Sequence, residues 1–215
     1  MNQIEAIRQL GRLGVTSFGT RDAAARLQVT PGNTHMILTR LERVGFLTHL
    51  TRGRWGLKDA ISAFALPEAL SAPEPAYVSL QSALFHHGLI DQVPAVTYAM
   101  TTGRTRRMNT PVGTVSFHRL PPELFSGFQV EGDDGFKMAT AEKALFDVIY
   151  LAPGRSRLFA RLPELDIPRG FHWQHLHGNV RQVNSTSRRT FLSRRITALE
   201  ERAGKTKQVK RKAPR

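Results

Sequence analysis

The chain of 215 residues is long enough for one large domain or two modest domains with apolar cores. It has no cysteine, which excludes a disulfide scaffold and a thiolate metal site. The net charge of +14 is uneven: Lys and Arg against Asp and Glu number nine against three in residues 1–58, 11 against 12 in residues 59–185, and 11 against two in residues 186–215. Both ends are basic and the middle is near neutral, which favours a polyanionic partner bound by the ends.

The beginning of the chain, Met-Asn-Gln-Ile-Glu, carries no basic and apolar signal segment. No apolar run approaches the roughly 20 residues that a membrane-spanning helix needs. We therefore expect a cytoplasmic protein that does not associate with a membrane.

The first part of the chain predicts two helices separated by a strand. Apolar residues at helical spacing predict an amphipathic helix over Ile4–Leu13. Val15–Phe18 predicts a short strand. Arg21–Leu27 then predicts a second short helix, which Thr20 opens.

A third helix is predicted from Thr30-Pro31 to Gly45. A Thr hydroxyl can cap free N–H groups, and Pro suits the first helical position because its φ is fixed. The apolar face of this helix is predicted from its three- and four-residue spacing: Ile37, Leu38, Leu41 and Val44.

Two apolar runs, Phe46–Leu50 and Arg54–Leu57, predict a hairpin with a basic tip. We expect Phe46 and Trp55 to pack this hairpin onto the helices, since large aromatic residues in a small domain usually belong to its core. The order helix, strand, helix, helix, strand, wing, strand is typical of a winged helix-turn-helix, which we assign to residues 1–58.

The face of the third helix opposite its apolar residues is small, basic and rich in hydrogen-bonding groups, with no carboxylate at its centre. Such a face suits the major groove of DNA, where Arg pairs with guanine and Asn with adenine. The alternative is a helix-turn-helix used only for protein contacts, against which the basic hairpin argues. The predicted DNA-binding residues are Thr30, Gly32, Asn33, His35, Met36, Thr39, Arg40 and Arg43, with Arg52 and Arg54 of the hairpin.

A second domain is predicted over residues 76–203, after a linker rich in Ala, Ser and Pro at residues 59–75. Ser79 is the expected N-cap of a helix that ends before Gly88. The runs Ala95–Thr101, Gly113–Leu120 and Phe128–Glu131 are predicted to form an antiparallel sheet packed by helices. The fold class is therefore α+β.

Three further helices are predicted. Thr140 caps Ala141–Tyr150, which we expect to be the spine of the second core. A weaker helix is predicted over Arg155–Leu162. Ser187–Ala203 predicts a long amphipathic helix, after which a basic tail at residues 204–215 has almost no apolar side chains and is predicted to be disordered.

Basic residues outside the third helix and the hairpin are further candidates for phosphate contacts. They lie in the second helix, in an Arg-rich loop of the second domain that could equally be a solvated hairpin tip, and in the tail: Arg21, Arg104, Arg106, Arg107, Lys205, Lys207, Lys210, Arg211 and Lys212.

Two motifs accompany the winged helix: Tyr77-Val-Ser-Leu-Gln-Ser-Ala-Leu-Phe-His-His-Gly-Leu89 and Ala139-Thr-Ala-Glu-Lys-Ala-Leu-Phe-Asp147. With them the chain resembles the AbiEi antitoxins of AbiE-type (type IV) toxin–antitoxin systems, up to about Leu151.

This resemblance implies a protein with two roles. The winged helix would bind inverted repeats in promoter DNA and repress the antitoxin–toxin operon. The C-terminal domain would counteract a cognate nucleotidyltransferase-like toxin without forming a stable complex with it. The candidate residues for the antitoxin role are those of the second motif: Thr140, Glu142, Lys143 and Asp147.

The alternative function is a metal-dependent nuclease, or another DNA-acting enzyme, guided by the winged helix. Such a nuclease uses carboxylates to hold a divalent ion and a lysine to stabilise developing charge, and the sequence offers Asp133, Asp134 and Lys137. The Glu-x-Lys element of these enzymes is missing, however, and Asp-Asp between glycines is typical of a turn. Lys143 and Asp147 are interpreted as an ordinary surface pair.

Two histidines of the predicted second domain are candidates for metal binding. His175 and His177 could bind a metal if they lay on a strand, but no third ligand of suitable spacing follows. We therefore predict no catalytic residues, no metal site and no cofactor.

Overall fold

The computed structural model describes residues 2–154, 159, 162–168 and 170–212, with side chains as far as residue 204. These residues form eight α-helices, one short 3₁₀ helix and two β-sheets. The fold class is thus mixed α+β, as the sequence predicts. None of the helices in these described ranges has the length and apolar character required to cross a membrane.

The N-terminal unit has the predicted order of elements. Its bounds are α1 Gln3–Gly11, β1 Ser17–Gly19, α2 Thr20–Leu27, α3 Pro31–Arg43, β2 Leu47–Thr51 and β3 Arg54–Leu57. The three strands form an antiparallel sheet in the order β1-β3-β2. Each bound lies within a few residues of its prediction, because the apolar spacing and the capping residues of this region are both clear.

The core of the N-terminal unit lies between the three helices and this sheet. It contains Leu10, Phe18, Leu38, Leu41 and Trp55, all nearly inaccessible to solvent. The sequence correctly predicts Trp55 as a core residue.

Two predictions about this core are wrong. Phe46 is 49% exposed and Val44 is 48% exposed. Both lie at the end of α3, where Gly45 turns the chain with φ +84° and the residues on either side of it face away from the core. Thr34 takes a place in the buried face of α3 instead.

The second unit is built on a six-stranded sheet. The order along the sheet is β6-β7-β5-β4-β9-β8. The strand bounds are β4 Ala76–Val78, β5 Thr97–Thr101, β6 Arg106–Asn109, β7 Thr114–Arg119, β8 Phe128–Glu131 and β9 Phe136–Ala139. A 3₁₀ helix, Pro122–Leu124, lies between β7 and β8.

The prediction that this sheet is antiparallel is wrong, because two of its pairings are parallel. Strand β5 runs parallel to β7, and β4 runs parallel to β9. In both cases a hairpin, β6–β7 or β8–β9, pairs its second strand with a strand that precedes the hairpin: β5 comes just before β6, whereas β4 lies about 60 residues before β9. Local alternation of apolar residues predicts that a strand exists but not which strand it pairs with.

Helices α5 Leu80–His86, α6 Ala141–Leu151, α7 Trp173–Arg181 and α8 Thr186–Lys212 belong to the second unit. Helix α6 is the predicted spine of the core: every residue from 142 to 150 is buried. Leu176 of α7 and Leu192 and Ile196 of α8 complete the same cluster.

Residues 59–75, predicted as a linker, are largely packed. They contain helix α4, Leu66–Ser71, whose apolar side chains contact the second sheet. Ile61, Leu66 and Leu70 form one buried cluster with Phe117 of β7 and with Leu50 of the N-terminal hairpin. The sequence predicts little periodicity here beyond a helical turn or two between Asp59 and Leu70, but the apolar residues are enough to bury a short helix.

The disordered tail is not confirmed. Helix α8 continues the predicted long helix as far as Lys212. The tail is rich in Lys, Arg and Gln, which are good helix formers, and Gly204 does not end the helix. Residues 213–215 lie outside the described residues, as does most of the helix predicted over Arg155–Leu162.

Candidate functional site

Helix α3 carries the surface predicted to contact DNA. It begins at Pro31 after Thr30, whose hydroxyl oxygen accepts a hydrogen bond from the backbone N–H of Asn33 at 3.4 Å. The predicted cap is therefore present, and it fixes the geometry of the first turn.

One side of α3 is buried and the opposite side is exposed. Thr34, Leu38 and Leu41 face the core. Thr39 is half-buried, and the other predicted DNA-contacting residues of this region are exposed: Thr30, Gly32, Asn33, His35, Met36, Arg40 and Arg43. The exposed face thus offers two guanidinium groups, an amide and an imidazole to a partner.

Glu42 is the single carboxylate of α3, and it is engaged with the hairpin. Its Oε1 atom accepts a hydrogen bond from the backbone N–H of His49 on β2 at 3.3 Å. A carboxylate on the exposed face would repel a phosphate backbone. The position of Glu42 leaves that face without negative charge.

Trp55 fixes the β2–β3 hairpin relative to the helices. Its indole N–H donates to the Thr20 hydroxyl of α2 at 3.0 Å, and its ring centre lies 6.3 Å from that of His35 on α3. Arg52 is exposed at the turn and Arg54 is half-buried at the start of β3. The hairpin therefore adds positive charge at a fixed position relative to α3.

The other predicted phosphate contacts differ in accessibility. Three are exposed: Arg21, Arg104 and Arg107. Arg106 is not free to bind a phosphate, because its guanidinium lies 4.5 Å from the centre of the Phe117 ring and donates to the Leu70 carbonyl at 3.2 Å. The side chains of the remaining five lie outside the described residues: Lys205, Lys207, Lys210, Arg211 and Lys212.

A buried polar network joins the two motifs of the second unit. Lys143 and Asp147 form an ion pair on α6 and are 1% and 0% exposed. The second carboxylate oxygen of Asp147 accepts hydrogen bonds from the hydroxyls of Tyr77 at 2.9 Å and Ser79 at 2.7 Å. The Lys143 ammonium also lies 5.0 Å from the centre of the Phe146 ring. The two motifs therefore meet in the core, although they are about 60 residues apart in the sequence.

The interpretation of Lys143 and Asp147 as a surface pair is wrong. A spacing of four places both residues on one face of a helix but does not say whether that face is covered. Here α5, α7 and β9 all contact α6. A buried ion pair has a large desolvation cost, so its stability depends on the additional hydrogen bonds from Tyr77 and Ser79.

The hydroxyl groups of this network act as hydrogen-bond donors. Burial and the neighbouring Asp147 charge raise the pKa of Tyr77 well above its usual value, so its phenol stays protonated. Ser79 precedes α5 as predicted, but its hydroxyl makes no cap hydrogen bond with that helix. The hydroxyl instead donates its hydrogen bond to Asp147, which a helix-capping pattern could not indicate.

The other two residues of the second motif lie at the start of α6. Thr140 caps the helix, since its hydroxyl oxygen accepts from the Lys143 N–H at 3.2 Å. Glu142 is buried, and its Oε1 atom accepts from the backbone N–H of His172 at 2.9 Å. Burial would raise the pKa of Glu142, but the hydrogen bonds from His172 and from its own backbone lower it below the usual value.

His175 and His177 lie on helix α7 rather than on a strand, and they have different surroundings. His177 Nε2 is 3.1 Å from a Glu200 carboxylate oxygen on α8. His175 belongs instead to a cluster with Glu142 and His172, whose ligand atoms all lie within 4.8 Å of one another. The sequence did not indicate this set because Glu142 is 30 residues from His172 and contributes from another helix.

The residues of the alternative nuclease hypothesis have separate partners. The turn predicted at residues 132–135 is confirmed between β8 and β9. The Asp134 carboxylate accepts from the backbone N–H of Ser62 at 3.3 Å, and Lys137 forms an ion pair with Glu68. Asp133 is exposed in the same turn.

No protein-family model matches the chain, and no curated protein matches it.

Proposed function

We propose that this chain is a transcriptional repressor that binds promoter DNA through an N-terminal winged helix-turn-helix, and that it is also the antitoxin of a toxin–antitoxin system. In this proposal α2 and α3 are the helix-turn-helix, α3 is the recognition helix and the β2–β3 hairpin is the wing. The second unit has the antitoxin role against a nucleotidyltransferase-like toxin.

The observation that carries the DNA-binding half is the exposed face of α3. Asn33, Arg40 and Arg43 are exposed on a helix whose opposite side is anchored in a core. Arg suits guanine and Asn suits adenine in the major groove. The exposed Arg52 on the wing and the exposed Arg21 on α2 are placed on elements that contact the backbone in winged helices and helix-turn-helix proteins.

The charge distribution supports the same assignment. Nine Lys and Arg against three Asp and Glu in residues 1–58 give this unit a net charge of +6, whereas 11 against 12 in residues 59–185 give −1. Phosphate binding depends on such positive charge. DNA contact is therefore assigned to the N-terminal unit, with the basic C-terminal helix as a second contact.

The antitoxin half rests on the resemblance of the two second-unit motifs to the AbiEi antitoxins. Their shared network of Tyr77, Ser79, Lys143 and Asp147 supports treating both motifs as one structural element. In this proposal the network maintains the domain, and the surface that acts against the toxin lies elsewhere on it.

Selection from a library of random-sequence duplex DNA tests the DNA-binding half. We expect the full-length protein to enrich a defined sequence arranged as an inverted repeat. The variants Asn33→Ala and Arg43→Ala should enrich it poorly. Arg119→Ala, which removes an exposed arginine from β7, is the matched control and should enrich it as the unchanged protein does. Recovery of no common sequence would refute sequence-specific binding.

Co-expression with a nucleotidyltransferase-like toxin, sought in the gene next to this one, tests the antitoxin half. A variant with both Asn33→Ala and Arg43→Ala should lose repression and still protect cells when both genes are expressed from unrelated promoters. Failure of the unchanged protein to protect cells from these promoters would assign the antitoxin effect to repression of the operon. Loss of protection in the double variant alone would show that protection requires the exposed face of α3.

A further inference from the structure

The strongest feature outside the proposed DNA surface is the cluster of Glu142, His172 and His175. Glu142 lies in the first turn of α6, His172 immediately precedes α7, and His175 lies in the first turn of α7. One ligand atom from each lies within 4.8 Å of the other two. Three residues at the starts of two helices thus direct possible metal ligands to one point.

The donor set matches the coordination chemistry of zinc. Two imidazoles and one carboxylate are a known three-ligand set for Zn²⁺, with metal–ligand distances of about 2.0–2.2 Å. Tetrahedral geometry at those distances needs ligand atoms about 3.4 Å apart. The present separations are at most 4.8 Å, and His172 Nδ1 already lies 3.5 Å from Glu142 Oε1. Mg²⁺ and Ca²⁺ prefer oxygen ligands and fit this set less well.

The ligand atoms can move closer together because the two imidazole side chains are exposed and can rotate, whereas the carboxylate is held in place. The Glu142 carboxylate is buried and is held by the His172 backbone N–H, so it has a fixed position. The His172 side chain is 67% exposed, and His175 is also exposed. Their rings are stacked with centres 5.2 Å apart. Rotation of these two exposed rings brings their nitrogens to a metal bound at Glu142.

The cluster also leaves room for a further ligand. A cavity of about 610 Å³ adjoins it, lined by Glu142 and His175 together with Thr140, Lys143, Gln174 and Asn179. Three protein ligands leave a fourth position of tetrahedral zinc unfilled, and water or a polar ligand in this cavity can take it.

We infer that Glu142, His172 and His175 bind one divalent transition-metal ion, with Zn²⁺ as the best match, and that this ion joins the start of α6 to the start of α7. The site does not depend on the DNA-binding proposal, since it lies on helices of the second unit. The site uses Glu142, which is the carboxylate of the Thr140–Asp147 motif that takes no part in the buried network.

Calorimetric titration of the full-length, tag-free protein with ZnCl₂, after removal of metals with a chelator, tests the site. We expect one Zn²⁺ ion per chain. The variants His172→Ala and His175→Ala should each weaken binding by more than about tenfold, because each removes a direct ligand. Both side chains are exposed, so these variants should fold. Glu142→Gln, which keeps the shape of the buried side chain, should weaken binding to a similar extent.

His177→Ala is the matched control. It removes a histidine two residues from His175 on the same helix, one that pairs with Glu200 and lies outside the cluster. Binding should be unchanged. If His177→Ala weakens zinc binding as much as His175→Ala, or if neither His172→Ala nor His175→Ala weakens it, the site is refuted. Absence of saturable binding by the unchanged protein also refutes it.

Cobalt provides a second readout that depends on coordination geometry. Co²⁺ bound by two imidazoles and a carboxylate in a four-coordinate site gives intense visible absorption, whereas six-coordinate Co²⁺ gives weak bands. We expect intense bands that ZnCl₂ displaces and that disappear in His175→Ala. Weak bands alone would contradict the proposed coordination.

Discussion

The N-terminal unit and the second unit use polar side chains in opposite ways. On α3, Asn33 and Arg43 are exposed while apolar residues of the same helix fill the core. On α6, Lys143 and Asp147 are themselves in the core. Exposed polar groups are available to a partner, whereas buried polar groups must satisfy one another. Residues of similar chemistry are therefore accessible to a partner in one unit and stabilise the fold in the other.

The largest loss of unfolding free energy is expected from Asp147→Ala. The substitution leaves the Lys143 ammonium and the hydroxyls of Tyr77 and Ser79 buried without their acceptor. Removing one partner of a buried pair typically costs about 3–5 kcal/mol of unfolding free energy. Urea unfolding followed by circular dichroism measures the decrease.

Glu5→Ala is the control for that measurement. Glu5 pairs with Arg8 at 2.7 Å on the solvent-exposed side of α1. Breaking an exposed pair should leave the unfolding free energy nearly unchanged. Equal, small decreases for Asp147→Ala and Glu5→Ala would contradict the structural role of the buried network.

A smaller effect is expected from His118, which lies in the second unit between the rings of Tyr98 and Phe159. Burial lowers its pKa from 6.5 to about 4. The unfolded chain therefore binds a proton at a higher pH than the folded chain does. The stability from keeping His118 neutral is complete above pH 6.5 and is lost as the pH falls towards 4.

We therefore expect this one group to lower the unfolding free energy by on the order of 2 kcal/mol between neutral pH and pH 5. In His118→Asn the fall over the same interval should be smaller by about that amount. Thermal unfolding at pH 7.5 and pH 5 measures it. An identical fall in both proteins would show that His118 is not kept neutral by burial.

The smallest effect on folding is expected from the C-terminal end of α8. Removing residues 205–215 deletes six positive charges and almost no apolar side chains. The unfolding free energy should not change, because the segment has almost nothing to bury. The slope of log affinity for DNA against log salt concentration should become shallower by about 0.9 for each phosphate that the shortened protein no longer neutralises. An unaltered slope would show that these charges do not bind DNA.

The sequence predicts the N-terminal unit well because its determinants are local. Thr30-Pro31 marks the start of α3, Gly45 marks its end, and the spacing of Leu38 and Leu41 predicts its buried face. The burial of Trp55 is predicted from its position as a large aromatic residue in the hairpin. The prediction for Phe46 is wrong because apolar character alone does not say whether a residue beside a turn faces the core.

The second unit is predicted less well because its determinants lie far apart in the chain. Strand β4 has only three residues, and its parallel partner β9 is about 60 residues away. The burial of Lys143 depends on elements that pack around α6. The cluster of Glu142 with His172 and His175 requires α6 and α7 to be adjacent, which no spacing in the sequence indicates.

Base recognition by α3 is tested most directly by the affinity of full-length Arg43→Ala for two duplexes at one salt concentration. One duplex carries the sequence selected by the unchanged protein, and the other carries the same bases scrambled. If the exposed face of α3 reads bases, Arg43→Ala should lose about 1–3 kcal/mol on the selected duplex and much less on the scrambled one, while Arg119→Ala loses little on either. Equal losses by Arg43→Ala on both duplexes would contradict base recognition by α3 and would assign Arg43 to the phosphate backbone.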